Sequence, residues 1–493
     1  MKRKLVQRMM AASLTVVVIM SLTACGGGDD TTDNTVKNDV AATNSNDAAP
    51  SANAQETSSV ASTEEKNADE SGWEVLTDEN GNPYDLGGME IIIRDWWTED
   101  KPMEINNAYD EAHAEYLDWI QETYNFTIKR VAISDWGSVP EDFVNYATTG
   151  GDENYLFTLR SGSELVSAMR SGLMYDLSTL DSVDFSEDKW SKGVMDAMTY
   201  KGGVYGMYGE TPEPKGGMYF NKRLLEEAGI NPEDLYTYQE NMEWTWDKFE
   251  ELCQQVAADT DNDGVIDRYA MANFTSCFYP FAVYSNGGEF IGKDEDSQFY
   301  NALESDETLE ALNWALDMID KYEMTYPADA NWDYWLTAYM NGEACFMADE
   351  VYRAGQMEDM EDDFGFVCFP MGPKASDYVN IHSDNPICIP ACYDEQKAWN
   401  LAFAYNLYTN PVPGYEDYEA WKSNYLQSFR DTESIDLTIA RLIKNGKSTY
   451  HLMVPGLDLG ADLIWALNKD NTPAQQAETI RPTWAAYLEE LNK

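Results

Sequence analysis

Short apolar runs alternate with a helical stretch in the part of the chain that follows Gly88. The segments "MEIIIRDWW" (89–97), "FTIKRVAI" (126–133) and "YLFTLRS" (155–161) have the length and residue types of buried strands. A helical stretch at 111–123 separates the first two. Because strands that alternate with helices pair in parallel, the sequence predicts an α/β fold.

The end of the first predicted strand is a candidate ligand site. In parallel sheets ligands bind beyond the carboxyl ends of the strands, and this rule selects Asp95, Trp96 and Trp97. Adjacent side chains point in opposite directions along an extended backbone. We therefore expect only one of the two tryptophans to face the ligand.

The amino-terminal 24 residues predict secretion and lipid attachment. Four basic residues precede an apolar run at 9–20, and "LTAC" ends at Cys25, as in a bacterial lipoprotein cleavage site. The alternative is a membrane-spanning helix, but the run is shorter than the roughly 20 residues that a bilayer requires. We interpret 1–24 as a signal peptide, Cys25 as the lipid acceptor, and the location as the outer face of the cell membrane.

The next segment, 25–72, contains no aromatic residue and almost no large apolar one, so it predicts a disordered tether. Folded sequence begins near Trp73 and runs to Lys493, which is too long for one ordinary core and predicts two domains.

The strongly acidic composition excludes some partners. The formal charge is -55, and because the signal peptide carries four basic residues and no acidic one, the mature chain carries -59. Such a surface repels nucleic acid and anionic headgroups. The three scattered histidines make a histidine-based zinc site improbable. Beyond Cys25, six cysteines remain, and the sequence leaves open whether they pair or stay as buried thiols.

The segment "DTDNDGVID" (259–267) has the spacing of a calcium loop of the EF-hand kind. Position 12 of such a loop is Ala270, which offers no ligand oxygen, so a calcium sensor is disfavoured. The prediction is a structural calcium site, with an Asx-rich turn as the alternative; no other cofactor is expected. Its ligands would be Asp259, Asp261, Asp263, the Val265 carbonyl and Asp267.

A strand that turns directly into a helix is predicted at "MYFNKRLLEEAGI", with Gly229 ending the helix. A short strand at 204–208 and an extended segment containing Pro212 and Pro214 precede it, and the extended segment suits a crossing between domains. Trp244, Trp246 and Trp314 lie in helical patterns that predict packing rather than ligand contact.

Several segments, in order along the chain, resemble the family 1 extracellular solute-binding proteins of ABC transporters, the maltose-binding-protein class. They are "YFNKRLLEEAGI" (219–230), "WTWDKFEELCQQV" (244–256), "NGGEF" (286–290), "YMNGEACFMAD" (339–349), "FGFVCFPMGPK" (364–374), "NPICIPA" (385–391) and the terminal "WAAYLEEL" (484–491). Relatives that bind acidic sugars hold calcium in the aspartate-rich loop, although this chain has Arg268 where those relatives tend to have a carboxylate.

The resemblance implies a type II periplasmic-binding-protein fold, in which two α/β lobes close on a ligand in a central cleft. The implied lobes are 73–211 with 372–412, and 212–371 with 413–493, with crossings near 211–216 and 369–373. The implied function is that of a monomeric protein that delivers a sugar or oligosaccharide to a membrane permease.

Aromatic side chains beside polar ones suit a sugar, because aromatic rings cover its flat faces and polar groups bind its hydroxyls. The sequence supplies Trp96 and Trp97 with Asp95, Trp136 with Asp135, and Trp332 and Trp335 with Asp333. The positions that the resemblance adds are Phe278, Tyr279, Tyr352, Arg353 and Asp458. Ser161, Tyr208 and Asp384 complete the predicted ligand-binding set.

Two alternatives keep the fold and change the role. The acidic surface would also suit a cationic solute such as an amino sugar, a polyamine or a basic peptide. In the second alternative, the protein binds its ligand and reports to a sensor rather than to a transporter. An enzyme is disfavoured, because the sequence has no G-x-S-x-G or H-E-x-x-H motif and nothing singles out a catalytic carboxylate pair.

Overall fold

The computed structural model describes residues 73–160, 162–260, 262–264, 266–294, 298–382, 385–447 and 449–493. The predicted signal peptide (1–24), the tether (25–72) and Cys25 lie outside the described residues. Four predicted site residues also lie outside them: Ser161, Asp261, Val265 and Asp384.

The described chain alternates strands with helices in its first part and is mixed after that. The strands are β1 Met89–Asp95, β2 Phe126–Ala132, β3 Asn154–Thr158, β4 Thr199–Tyr200, β5 Gly203–Val204, β6 Gly216–Asn221, β7 Tyr269–Met271, β8 Ile291–Lys293, β9 Phe299–Asn301, β10 Ala344–Glu350, β11 Phe364–Val367, β12 Asn380–Ile381, β13 Ile387–Cys388 and β14 Gly446–Lys447. The α-helices are α1 Ala108–Thr123, α2 Val139–Thr149, α3 Ser163–Arg170, α4 Lys192–Ala197, α5 Lys222–Glu227, α6 Asp234–Glu240, α7 Trp246–Val256, α8 Thr275–Ser285, α9 Asp306–Tyr322, α10 Tyr334–Met340, α11 Glu395–Tyr408, α12 Ala440–Asn445, α13 Leu459–Asp462 and α14 Pro473–Leu491.

The first sheet has the order β13-β3-β1-β2. Strand β1 pairs in parallel with both β2 and β3, which confirms the predicted parallel α/β arrangement, and β13 joins antiparallel to β3. Ile91 and Ile93 of β1 are buried, and Ile120 of α1 is buried beside them in the same core. The carboxyl ends of β1, β2 and β3 therefore meet at one edge of this sheet.

The second sheet has the order β11-β6-β10-β7. Its central strand β6 is buried along its whole length and runs antiparallel to both of its neighbours, β10 and β11. The chain turns from β6 directly into α5, because the Asn221 side chain caps that helix by accepting a hydrogen bond from the Leu224 amide at 3.0 Å. Gly229 follows with φ of 77°, so the predicted strand, helix and glycine stop are confirmed.

The predicted strand at 204–208 is wrong in extent, since β5 covers only Gly203 and Val204. Beyond it, the Tyr205 amide donates to the Met198 carbonyl, whereas the Met207 amide donates to the Ile387 carbonyl. Because these bonds go to different parts of the chain, no single ladder continues through the segment.

The two sheets are joined by segments that pair with each other. The Lys215 amide donates to the Ile381 carbonyl at 2.8 Å, and Pro214 forms a bridge with His382. Met371 instead exchanges backbone hydrogen bonds with Trp244 and Trp246 on the second-sheet side. These contacts place Ile381 and His382 beside the first predicted crossing, while the predicted crossings and lobe boundaries stay a prediction.

The tryptophans that the sequence predicts as packing residues have that role. Trp246 and Trp314 stack with ring centroids 4.3 Å apart, and Trp244 is fully buried with its indole N–H donating to the Cys368 carbonyl. The six cysteines after Cys25 are free thiols in the described chain, and only Cys392 is exposed. No helix in the described ranges is both long enough and apolar enough to pass through a bilayer.

Candidate ligand-binding site

A cavity of about 940 Å³ lies where the ends of several strands and the two crossing segments meet. We group its lining residues by position. The first-sheet wall comprises Trp96, Trp97, Trp136, Arg160, Leu165, Val194, Ala197 and Met198. The crossing floor comprises Glu213, Lys215, Ile381, His382, Asn385 and Pro386, and the second-sheet wall comprises Glu350, Tyr352, Thr449, Leu452 and Met453.

Both Trp96 and Trp97 line this cavity, so the expectation that only one would do so is wrong. The strand ends at Asp95, whose carboxylate accepts hydrogen bonds from the Trp97 and Thr98 amides at 3.3 and 3.1 Å. These bonds turn the backbone, which is no longer extended at the two tryptophans. Their rings then meet edge to face, with centroids 4.6 Å apart.

Asp95 itself is fully buried and does not line the cavity. It lies 4.0 Å from the guanidinium of Arg130 on the neighbouring strand, and Arg130 also pairs with Glu210 just before the first crossing. Burial alone would lower the pKa of Arg130, but the Glu210 carboxylate together with the Tyr408 and Tyr405 side chains more than offsets this and raises that pKa. These contacts join the loop that carries Trp96 and Trp97 to Glu210, just before the first crossing.

Trp136 offers an open aromatic face beside a cation. It is 61% exposed, and the Arg160 guanidinium lies 4.6 Å from the centre of its ring. A terminal nitrogen of Arg160 pairs with Glu164 at 3.2 Å, whereas its buried Nε has no hydrogen-bond partner among the described residues. The pair therefore presents a ring for stacking beside a guanidinium that lines the cavity.

An ion pair joins the crossing floor to the second-sheet wall. The Lys215 ammonium lies 2.5 Å from the Glu350 carboxylate. Burial alone would lower the pKa of Lys215, but the Glu350 carboxylate, with smaller contributions from Cys277 and Tyr352, more than offsets this, and the pKa lies above its usual value. Across the described lining, the cations Arg160 and Lys215 are matched by the carboxylates Glu213 and Glu350.

Tyr352 of the second-sheet wall is half exposed and is held by polar contacts behind it. The Arg353 guanidinium lies 4.9 Å from the centre of the Tyr352 ring. Asp349, which is fully buried, accepts hydrogen bonds from Arg353 Nε at 3.2 Å and from the Trp335 indole at 2.8 Å. Burial raises the pKa of Asp349, and the neighbouring Arg353 acts in the opposite direction.

Comparison with known proteins identifies the family. Residues 112–405, more than half of the chain, match the family described as bacterial extracellular solute-binding protein. The chain belongs to this family.

One curated relative and two solved structures illustrate the likeness. A stretch of 85 residues is 38% identical to the lactose-binding protein of Rhizobium radiobacter, and the match spans 17% of each protein. The cyclic alpha-maltosyl-1,6-maltose binding protein of Arthrobacter globiformis is 16% identical with a TM-score of 0.54, over 82% of this chain and 98% of that one. UgpB of Mycobacterium tuberculosis, solved with glycerophosphocholine, is 16% identical with a TM-score of 0.55, over 77% of this chain and 95% of that one. The two solved structures establish that this solute-binding protein shares the two-lobe α/β fold.

The other predicted ligand residues of the solute-binding protein lie away from the lining. Phe278 and Tyr279 are buried in α8, and Trp335 is buried with its indole on Asp349, so none of the three lines the cavity. Trp332 is 77% exposed outside the cavity and meets the edge of Trp335 at 5.3 Å. Asp458 caps α13 by accepting from the Ala461 amide, and the Tyr208 hydroxyl donates to the Thr211 carbonyl.

Several lining residues were missed by the sequence analysis. Arg160 follows the end of β3 as Trp96 follows the end of β1. The strand-end rule, by which ligands bind beyond the carboxyl ends of parallel strands, was therefore able to find it. Glu350 ends β10 and was equally accessible to that rule. In contrast, Leu452 and Met453 carry no motif, and only the folded chain brings them to the cavity.

The aspartate-rich loop of the solute-binding protein is held by its own carboxylates. Asp259 accepts hydrogen bonds from the Asp263 and Gly264 amides at 3.2 and 2.8 Å, and Asp267 accepts from the Thr260 amide and hydroxyl. Among the residues whose placement is described, no group of three metal-binding side chains comes together. Because Asp261 and Val265 lie outside that set, the calcium site stays a prediction.

Proposed function

We propose that this protein captures an uncharged carbohydrate of more than one ring and presents it to the permease of an ABC transporter. The observation that carries the proposal is the lining of the cavity, where aromatic faces stand beside hydrogen-bonding groups. Trp97, Trp136 and Tyr352 are each about half exposed or more, so their rings are accessible to a ligand. Such rings stack on the apolar faces of sugars, while the polar groups beside them bind hydroxyls.

The size of the cavity supports a ligand larger than a single ring. Ligand cavities in proteins span about 300 to 1,000 Å³, and the volume of about 940 Å³ is near the upper limit. The names of the relatives agree with this, since two of them bind a disaccharide or a cyclic oligosaccharide of maltose units. Identity to the solved structures is too low to transfer a particular ligand, so the class rests on the cavity itself.

The charge in the cavity argues against a cationic cargo. Although the whole chain is strongly acidic, the two carboxylates of the lining are matched by Arg160 and Lys215. Lys215 and Glu350 also neutralise each other directly. A cationic solute would therefore find no excess negative charge in the described lining, and the acidity of the surface serves solubility.

Thermal unfolding of the purified protein tests the ligand class. The panel contains glucose, maltooligosaccharides, cellooligosaccharides, xylooligosaccharides, galactooligosaccharides and spermidine. We expect one oligosaccharide class to raise the melting temperature more than its monosaccharide does, because a ligand that binds only the folded form stabilises it. A shift with spermidine alone would refute the carbohydrate assignment.

The role in transport needs a separate test. Deletion of the gene should abolish uptake of the stabilising carbohydrate, whereas a sensory role would leave uptake intact and change only a transcriptional response. The protein should also return the carbohydrate unchanged after prolonged incubation, since we propose binding without catalysis. Chromatography of the recovered sugar checks this, and any shorter product would contradict it.

We also propose that the mature protein is tethered to the outer face of the membrane through a lipid on Cys25. The support is the basic and apolar segment that ends in "LTAC" and the long polar stretch that follows. Cys25→Ser should release the protein into the medium or leave it with an uncleaved leader. Fractionation with mass measurement of the mature amino terminus distinguishes these results from normal anchoring.

A further inference from the structure

The two sides of the cavity meet at a second place besides the crossing segments. Asp196 belongs to α4, which is bonded to the first-sheet side through the Ser191 and Tyr208 backbones. Its carboxylate accepts hydrogen bonds from Lys293 Nζ at 2.8 Å and from the Tyr450 hydroxyl at 2.5 Å. Lys293 and Tyr450 belong to the second-sheet side, so these three residues bridge the sides. We call them the Asp196 latch.

The cation of the latch is well shielded from water. The Lys293 side chain is only 7% exposed, and its ammonium also donates to the Asp196 carbonyl at 3.0 Å. The rings of Phe299 and Tyr450 lie 5.8 and 5.9 Å from that ammonium, and the two rings meet edge to face. Charge-assisted hydrogen bonds in such a site are stronger than at an open surface, and removal of one partner leaves a nearly buried charge unpaired.

The latch lies directly beside the cavity. Val194 and Ala197, on the same helix as Asp196, line the first-sheet wall. Thr449 and Leu452, on either side of Tyr450 in the chain, line the second-sheet wall. Any movement that separates Asp196 from Tyr450 therefore moves the two walls apart.

A second polar contact reinforces the same junction. The Arg170 guanidinium, at the end of α3, donates to the backbone carbonyls of Glu490 and Leu491 at the end of α14. The helix that carries Arg170 also contacts the turn at His451–Met453. Cations near the carboxyl end of a helix are favourable because the last carbonyls have no partner within the helix.

The geometry points to the Asp196 latch as the set of positioning residues that holds the walls of the cavity together. Its residues lie at the junction of the two walls and do not line the cavity. They therefore affect ligand binding through the closure of the two walls. The inference does not depend on which solute the cavity takes. Failure of the carbohydrate panel would leave it standing, and failure of the latch would leave the carbohydrate assignment standing.

The test is made on the protein without added solute, so that it reports on the latch alone. Lys293→Met and Tyr450→Phe are compared with wild type and with Lys321→Met, a matched control. Lys321 pairs with Asp317 and Glu250 on the second-sheet side only, so its loss removes ion pairs without touching the junction. Hydrogen exchange of the amides at 192–198 and small-angle scattering are measured on the same chain for all four proteins.

We expect Lys293→Met to accelerate exchange at 192–198 by about tenfold and to increase the radius of gyration, because the walls separate more often. Tyr450→Phe keeps the ring and should give a smaller change of the same sign. Lys321→Met should match wild type in both measurements. Circular dichroism confirms that each variant is folded.

The proposal is overturned if both latch variants exchange and scatter like Lys321→Met. It is also overturned if Lys293→Met accelerates exchange while the radius of gyration stays constant. That result would mean that the contact stabilises only its own helix.

Discussion

The first-sheet wall and the second-sheet wall of the cavity are built in different ways. The first-sheet wall presents open rings, and its Trp97 and Trp136 are 49% and 61% exposed. The second-sheet wall is held by groups with little access to water, above all Glu350, which pairs with Lys215, and the fully buried Asp349 behind Tyr352. We infer that the first wall supplies most of the aromatic contact area, with Tyr352 opposite it, while the ion pairs of the second wall fix the shape into which the ligand fits.

Among the changes that separate the roles of the two walls, removal of the Lys215 cation from the crossing floor should have the largest effect. Lys215→Met leaves Glu350, which is 19% exposed, without its charged partner. We expect the free energy of unfolding to fall by about 2 kcal/mol, because an unpaired and partly buried carboxylate loses solvation without compensation. Urea unfolding measures it. Lys248→Met, which removes a surface pair with Glu251, is the control and should cost well under 1 kcal/mol.

Truncation of an open ring should weaken ligand binding and leave stability nearly unchanged, in contrast to the removal of Lys215. Trp97→Ala should weaken binding of the stabilising carbohydrate about tenfold, or about 1.4 kcal/mol, because a stacking surface is lost. Its stability should stay near that of wild type, since half of the side chain is already exposed. Calorimetric titration measures the affinity, and Trp332→Ala, outside the cavity, is the control. Equal losses in the two variants would contradict the assignment of the first wall.

A partly buried acid, Glu323, predicts a pH dependence. Glu323 accepts hydrogen bonds from the Asn273 amide, the Asn273 side chain and the Tyr326 hydroxyl, and Asn273 in turn accepts from the Ala348 amide in β10. Burial raises the pKa of Glu323 from 4.5 to about 7, and the hydrogen bonds oppose this only in part.

Because the folded pKa lies above the unfolded value, the unfolded chain loses this proton first as the pH rises. Its contribution to the free energy of unfolding therefore falls between pH 4.5 and about 7 and is constant above that range. We expect Glu323→Gln to remove about 1 kcal/mol of this decline, measured as the difference between the two proteins in urea at pH 6 and pH 7.5. Parallel curves would show that Glu323 is ionised throughout.

The calcium loop gives the smallest expected effect and lies outside both walls. At a calcium concentration three times the Kd, binding to the folded form alone stabilises it by about 0.8 kcal/mol. We expect chelator to lower the melting temperature by a small amount and to leave carbohydrate affinity unchanged. An unchanged melting temperature would favour the Asx-rich turn, which the Asp259 hydrogen bonds already form.

The difference between the walls also explains how far the sequence predicts the site. In the first sheet the three strands are parallel, so their carboxyl ends converge and the strand-end rule found Trp96 and Trp97. In the second sheet β6 runs antiparallel to both neighbours, so successive strand ends alternate between the two edges. A rule based on strand ends therefore locates only part of that wall.

The remaining discrepancies arise from contacts between distant parts of the chain. An aromatic residue in a loop pattern looks the same in sequence whether it is exposed, as Trp332 is, or buried against a carboxylate, as Trp335 is. The pairing of Ile381 with Lys215, which lies far away in sequence, likewise has no signal in the local pattern, and the predicted crossings stay a prediction. The family resemblance supplied the fold, and the local patterns supplied the strands and the helix at 222–227.

The pairing of the two crossing segments has a mechanical consequence. Pro214 and Lys215 pair with His382 and Ile381, and Ile381 pairs in turn with Lys447 of β14, so the connections form a narrow ribbon rather than separate single strands. Such a ribbon bends readily across its thin dimension and resists sliding of one strand past the other. We therefore expect the two sides of the cavity to move apart by bending at this ribbon rather than by sliding past each other.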